Sequence, residues 1–118
     1  MISILLYGRN DSYGYNLHKR VAISVNCMAE LLEDENDEII FVDYNTPDDF
    51  PTMLEAIQDT LTPKAKSHVK IVRVRPIDHF PFSDRTHLKA LEPHARNAGL
   101  RRSNPKNRWV LSTNTDMI

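Results

Sequence analysis

The chain has 118 residues, of which 41% are hydrophobic and 26% charged, with a formal net charge of −1. That length makes one small domain with a single modest core. The near-zero net charge leaves no overall basic field to hold nucleic acid or an anionic membrane surface.

The pattern along the chain alternates two periods. Ser3 to Tyr7 (SILLY) is a continuous apolar run closed by Gly8, the signature of a strand buried on both faces. Leu17, Val21, Val25, Met28 and Leu32 recur at helical spacing and give one apolar stripe. The acidic run 33 to 38 (EDENDE) reads as a turn. Glu38 to Asp43 (EIIFVD) is a second buried strand that ends on an acid. Asn45, Thr46, Pro47 and Asp48 supply turn and helix-capping chemistry. Phe50, Met53, Leu54, Ile57 and Leu61 make the next helical stripe, and Thr62-Pro63 is expected to end it.

Val69 to Val74 (VKIVRV) is a third strand. Its Lys70 and Arg73 point to an edge or a partly wet face. Pro76, Pro81, Phe80 and Phe82 read as an irregular loop. Leu88, Leu91, Ala95 and Ala98 mark a third helical segment, which Pro93 should break or restart. Residues 97 to 103 carry that helix out, and Trp109 to Ser112 is a fourth strand, read as buried. The order predicts an α/β fold: a Rossmann-like, mostly parallel sheet flanked by helices on both faces. In such sheets ligands sit at the carboxyl ends of the strands. Those ends are Gly8-Arg9-Asn10, Asp43-Tyr44-Asn45, the loop after Arg75, and Asn114-Thr115-Asp116.

Two features of those ends can carry chemistry. Asp43 at a buried strand tip is costly without a partner. It can accept hydrogen bonds from a ligand or cap the next helix, a task Asp48 is also placed to perform. Asn114 and Asp116 share one side of an extended segment. They can hold a hard cation such as Mg²⁺ or Mn²⁺, or form an Asx turn. The stretch 85 to 108 carries seven Arg and Lys against Glu92 alone, which suits a phosphorylated ligand or a solvated helix face. The five histidines fall into no metal-ligand spacing, and neither a P-loop nor a G-x-G-x-x-G is present. Cys27 is alone, so no internal disulfide forms, which fits the cytoplasm. The opening MISILLYG lacks a signal peptide's basic start, and no run approaches the roughly 20 apolar residues that span a bilayer.

Four segments, in order, resemble the family 2-type glycosyltransferases of the GT-A fold. SILLYGRND is similar to the family's first strand and turn, with Asn10 matching that turn. EIIFVDYNTPDD resembles the segment of paired acids, with Tyr44 in place of the second acid. HARNAGLRRS contains the family's Ala-Arg-Asn-x-Gly helix start intact at Ala95 to Gly99. RWVLSTNTDMI resembles the strand leading to the Asp-x-Asp motif, with Asn114 in place of the first acid. The resemblance implies that residues 1–118 are a single nucleotide-diphosphosugar-binding domain, the N-terminal half of a GT-A fold. It implies a donor such as a UDP-sugar, the base and ribose cradled by Tyr7, Gly8, Arg9 and Asn10. Asp43 would bond the base, Asn45 would belong to the same nucleotide-binding set, and Arg96 and Asn97 would lie near base or diphosphate. Asn114 and Asp116 would hold a divalent metal, Mn²⁺ or Mg²⁺. The family's general base lies beyond this motif, so the chain is expected to be a fragment, inactive alone, with an apolar sheet edge open to homodimerisation. The alternative class is a receiver-like signalling module with Asp43 as phosphoacceptor. A noncatalytic oligomerisation domain of the same architecture is a third reading.

Overall fold

A computed structural model of the chain describes residues 1–10, 16–82, 85–86 and 88–115. Four strands form one sheet in the order β3-β2-β1-β4, and every pairing is parallel. They are β1 (Ile2–Gly8), β2 (Glu38–Tyr44), β3 (Val69–Val74) and β4 (Trp109–Ser112). The helices are α1 (Leu17–Glu30), α2 (Met53–Ile57), α3 (Pro63–His68), α4 (Pro76–His79) and α5 (Glu92–Arg101). The α/β class with a parallel sheet is as the sequence predicts.

The pleat divides the core in two. Ile4, Leu6, Ile39 and Phe41 face α1, α2 and α3 together with Val21, Val25, Met53, Ile57 and Ala65. Leu5, Ile40, Val42 and Tyr44 face the other way, against Ala95 and Ala98 of α5. The connections β1 to β2 to β3 step outward in one direction and keep their helices on one face. The return to β4 steps back past β1, and its helix α5 lies on the opposite face. A constant crossover hand requires that change of face when the direction reverses.

Gly99 sets the distance between α5 and the sheet. A Cβ there would overlap Leu5 Cδ1 and approach Val42 Cγ2 to 2.9 Å. With Ala95 one turn earlier, it gives α5 a smooth strip that lies close on β1 and β2.

Local details depart from the expected elements where caps decide. The stripe over residues 50–61 is not one helix. Thr52 caps α2 through a reciprocal box with Glu55, and α2 ends at Ile57. Thr62-Pro63 then begins α3 rather than ending its predecessor. Thr62 accepts the Ala65 N–H at 3.1 Å. Pro63, at the first turn, loses only an N–H that would be orphaned there. Pro76 likewise opens α4, and Phe80–Phe82 continues as a 3₁₀ turn, where an irregular loop was expected. Pro93 sits in the first turn of α5, so the helix starts at Glu92 and Leu88 lies outside it. The cap of α2 is Thr52 rather than Asp48, which is exposed and pairs with Arg73 at 3.4 Å.

Two acids of the 33 to 38 run are structural, not solvated. The Asp37 carboxylate accepts from the Ile2 N–H at 2.8 Å and the Asp34 N–H at 3.1 Å. Glu38 accepts from Ser3 Oγ at 3.0 Å and the Asn104 N–H at 2.6 Å, and pairs with Lys70 at 3.1 Å. β3 is an edge strand, as its charges suggest. β4 is the other edge and is not buried: Trp109, Val110 and Leu111 are 64%, 45% and 48% exposed. It pairs only with β1, which leaves both faces and one side uncovered among the described residues. Among the same residues, no helix is long and apolar enough to cross a membrane.

Candidate functional site

Strand order reverses between β1 and β4, and their carboxyl ends mark the crevice where ligands bind in open parallel sheets. Arg96 stands at that boundary. It lies one position past the buried Ala95 in the first turns of α5, whose amino end is at this edge. Its Nε donates to Glu92 Oε1 at 2.8 Å. Its Nη1 donates to Ser112 Oγ at 2.5 Å and to the Thr113 carbonyl at 3.2 Å. Its Nη2 donates to Asn114 Oδ1 at 3.2 Å. The guanidinium carbon stacks 5.0 Å from the centre of the Tyr7 ring. Partial burial raises the Tyr7 pKa above its usual range. Glu92 adds to that rise and Arg96 opposes it.

A second cluster joins the ends of β1 and β2. Arg9 Nε donates to the Asn45 carbonyl at 2.6 Å, and Asn10 Nδ2 to the Pro51 carbonyl at 2.9 Å. The Asn10 N–H donates to Thr46 Oγ1 at 2.9 Å. Asn45 adopts φ 55, a left-handed conformation that asparagine tolerates. Its N–H reaches the Val74 carbonyl at 2.7 Å and its Nδ2 the Lys89 carbonyl at 2.8 Å. Asp43 is 0% exposed. Its Oδ1 accepts the Thr46 hydroxyl, and its Oδ2 accepts the Met53 N–H at 2.9 Å.

These placements regroup the residues expected to bind nucleotide. Tyr7 and Arg96 come together on the α5 face. Arg9, Asn10, Asp43 and Asn45 come together between β1 and the loop after β2. Gly8 joins the groups and pairs in register with Asp43. The pleat turns Asp43 toward α2, the face opposite Tyr7, and encloses it fully. In this arrangement it offers no surface to a base. Asn97 is exposed on α5, about 100° round the helix from Arg96. Asp116 lies outside the described residues.

The expected metal pair is therefore represented by Asn114 alone. Its oxygen is neutral and already accepts from Arg96. A hard cation prefers carboxylate and water oxygens, so the described residues do not by themselves make a metal site. Among them, no group of three or more His, Cys, Asp or Glu side chains is placed to hold a metal ion.

Five residues of these clusters were not among the candidate binding residues read from sequence. Ser112 and Thr46 carry hydroxyls that only the fold aligns with Arg96 and Asp43. Glu92 stands four residues before Arg96, a helical ion-pair spacing that was readable. Tyr44 and His79 form a buried pair beside the second cluster, with Tyr44 Oη 2.8 Å from His79 Nδ1 and the rings edge to face.

Two depressions of about 460 and 450 Å³ lie elsewhere, one lined by Leu54, Leu61 and Ile71, the other by Glu38, Lys70 and Arg102. Comparison with protein-family models, curated proteins and solved structures finds no significant match to this chain.

Proposed function

We propose that the carboxyl edge between β1 and β4 binds a nucleoside diphosphate as the leaving-group part of a nucleotide-diphosphosugar, in the donor-binding region of a glycosyltransferase. The observation that carries this reading is Arg96, a cation stacked on Tyr7 at the strand-order reversal and bonded to Ser112 and Asn114. A guanidinium with several aligned donors suits phosphate oxygens. The amino end of α5 adds positive potential, and Leu91 at its N-cap position makes no side-chain cap bond. When a glycosidic bond breaks, the departing diphosphate gains charge, and these groups stabilise it. The Arg9-Asn10 turn is the neighbouring shelf for base and ribose. The enclosure of Asp43 weighs against the receiver-like alternative, because a phosphoacceptor must meet its phosphodonor.

Calorimetric titration with UDP, with and without Mn²⁺, tests the reading. Arg96→Ala is expected to weaken binding at least tenfold, the worth of a lost charge-assisted bond of about 1.5–3 kcal/mol. Glu92→Gln removes the carboxylate that competes for Arg96 and is expected to tighten binding. Absence of heat with UDP, CDP and GDP at millimolar concentration overturns the proposal. The Mn²⁺ arm shows whether binding is metal-assisted, which rests on Asp116.

A further inference from the structure

Asp43 touches no surface, yet it is wired to the turn that forms half of the shelf. The wiring runs through one hydroxyl. Thr46 is 0% exposed, donates its proton to Asp43 Oδ1 and accepts the Asn10 N–H at 2.9 Å. A hydroxyl has one proton to give, and an acceptor-only carboxylate on one side leaves its lone pairs for the donor on the other. The oxygen of residue 43 thereby sets which way Thr46 points, and Thr46 sets where the backbone of Asn10 lies. The second oxygen of Asp43 holds the Met53 N–H at 2.9 Å, which fixes the first turn of α2 to the same point. Asn10 Nδ2 on the Pro51 carbonyl and Arg9 Nε on the Asn45 carbonyl tie the same turn to the same loop.

We propose that Asp43 is a positioning residue that acts through Thr46 on the Arg9-Asn10 turn, so that nucleotide affinity depends on it equally whatever the base. The proposal rests on the nucleotide-binding reading above. It differs from direct base recognition in a measurable way. A group that bonds a base edge discriminates among bases. A group that places backbone beneath the ligand does not.

The chain is titrated with UDP, CDP and GDP as wild type and as Thr46→Val, Thr46→Ser and Asp43→Asn, with circular dichroism confirming the fold. Thr46→Val keeps shape and removes both hydrogen bonds. It is expected to weaken all three ligands by one common factor of about ten, as loss of a buried bond implies. Thr46→Ser restores the hydroxyl and is expected to bind as wild type. Asp43→Asn places an amide opposite either the Thr46 hydroxyl or the Met53 N–H, and is expected to weaken all three ligands in parallel. A changed ratio of UDP to CDP to GDP affinity in Asp43→Asn overturns the proposal in favour of base contact. Unchanged affinities in folded Thr46→Val overturn it in favour of a purely structural relay. Failure of the wild type to bind any of the three removes the functional reading and this role with it, whereas the other outcomes remove this role alone.

Discussion

Burial lowers the pKa of His79 from its ordinary 6.5, and the charges of Arg9, Lys89 and His94 act in the same direction against a bond with the Leu88 backbone. The ring and the Tyr44 hydroxyl satisfy one another at 2.8 Å, and together they pin α4 to the end of β2. The sign follows from proton counting. Below pH 6.5 the unfolded chain binds a proton at this histidine that the folded chain resists, so stability is complete above 6.5 and falls as pH drops toward the folded value. Asp37, whose burial is outweighed by bonds from Asp34, Ile2 and Glu33, has a pKa lowered from 3.8 and acts only below that pH. Urea unfolding is therefore expected to show a loss of stability between pH 7.5 and 5 that His79→Gln abolishes, while the loss below pH 4 persists. Tyr44→Phe is expected to cost about 1–3 kcal/mol by leaving His79 Nδ1 unpaired. At this scale the sequence was partly legible. Asp43 and Asn10 were marked by their positions at strand ends, and Arg96 by the resemblance of its Ala-Arg-Asn-x-Gly segment. His79 was not, because the partner that defines it is 35 residues away, and no local spacing encodes a pair that only the sheet brings together. The role of Asp43 was legible only as a choice between ligand and cap, which turns on the direction of one side chain.

The elements were legible wherever periodicity ran long, as in α1, β1 and β2. They were misjudged where two punctuation marks carried opposite meanings. Thr62-Pro63 read as a stop and Pro76 as part of an irregular loop, yet proline at the first helical position is a start. The spacing Thr52…Glu55 was a readable capping box within a stripe that suggested a longer helix. The Ala-Arg-Asn-x-Gly run carries the family resemblance, and its glycine has a packing reason. Gly99→Ala gains helix propensity of about 1 kcal/mol, but its methyl would overlap Leu5 and crowd Val42. Overpacking typically costs 1–3 kcal/mol. Set against that gain, the substitution is expected to destabilise the chain by up to about 2 kcal/mol in a denaturant melt. If the proposed nucleotide binding holds, it is also expected to be loosened, because α5 carries Arg96. A Gly99→Ala chain clearly more stable than wild type would show that α5 is not held this close to Leu5 and Val42.

For the whole molecule, the alternation of strand and helix implied a parallel sheet, but not which strands lie at its edges. The charges of β3 announced one edge, and Lys70 and Arg73 there protect it against unwanted pairing. The apolar Trp109-Val110-Leu111 run concealed the other, because a continuous hydrophobic strand ordinarily signals burial. The strand order resolves the conflict: β4 borders only β1, and its side chains stand exposed beside a core they do not enter. Stability should therefore be graded across the sheet. Leu6, Ile39, Ile40 and Phe41 on β1 and β2 are fully buried, with helices packed on both faces. β4 is held by its ladder to β1, by the Thr113 N–H on the Leu5 carbonyl at 3.1 Å, and by Arg96. Segments with few buried apolar contacts open locally, below the free energy of global unfolding. Native-state hydrogen exchange is expected to show β1 and β2 amides exchanging only through global unfolding and β4 amides through a smaller opening. Arg96→Ala should accelerate exchange in β4 while leaving β2 unchanged. Uniform protection across all four strands would mean that β4 is covered in solution, with its exposed apolar edge buried against another surface. That surface would also adjoin the boundary where Arg96 meets Ser112 and Asn114. UDP added to the chain should slow β4 exchange if the ligand sits on that boundary, and leave it unchanged if it binds elsewhere.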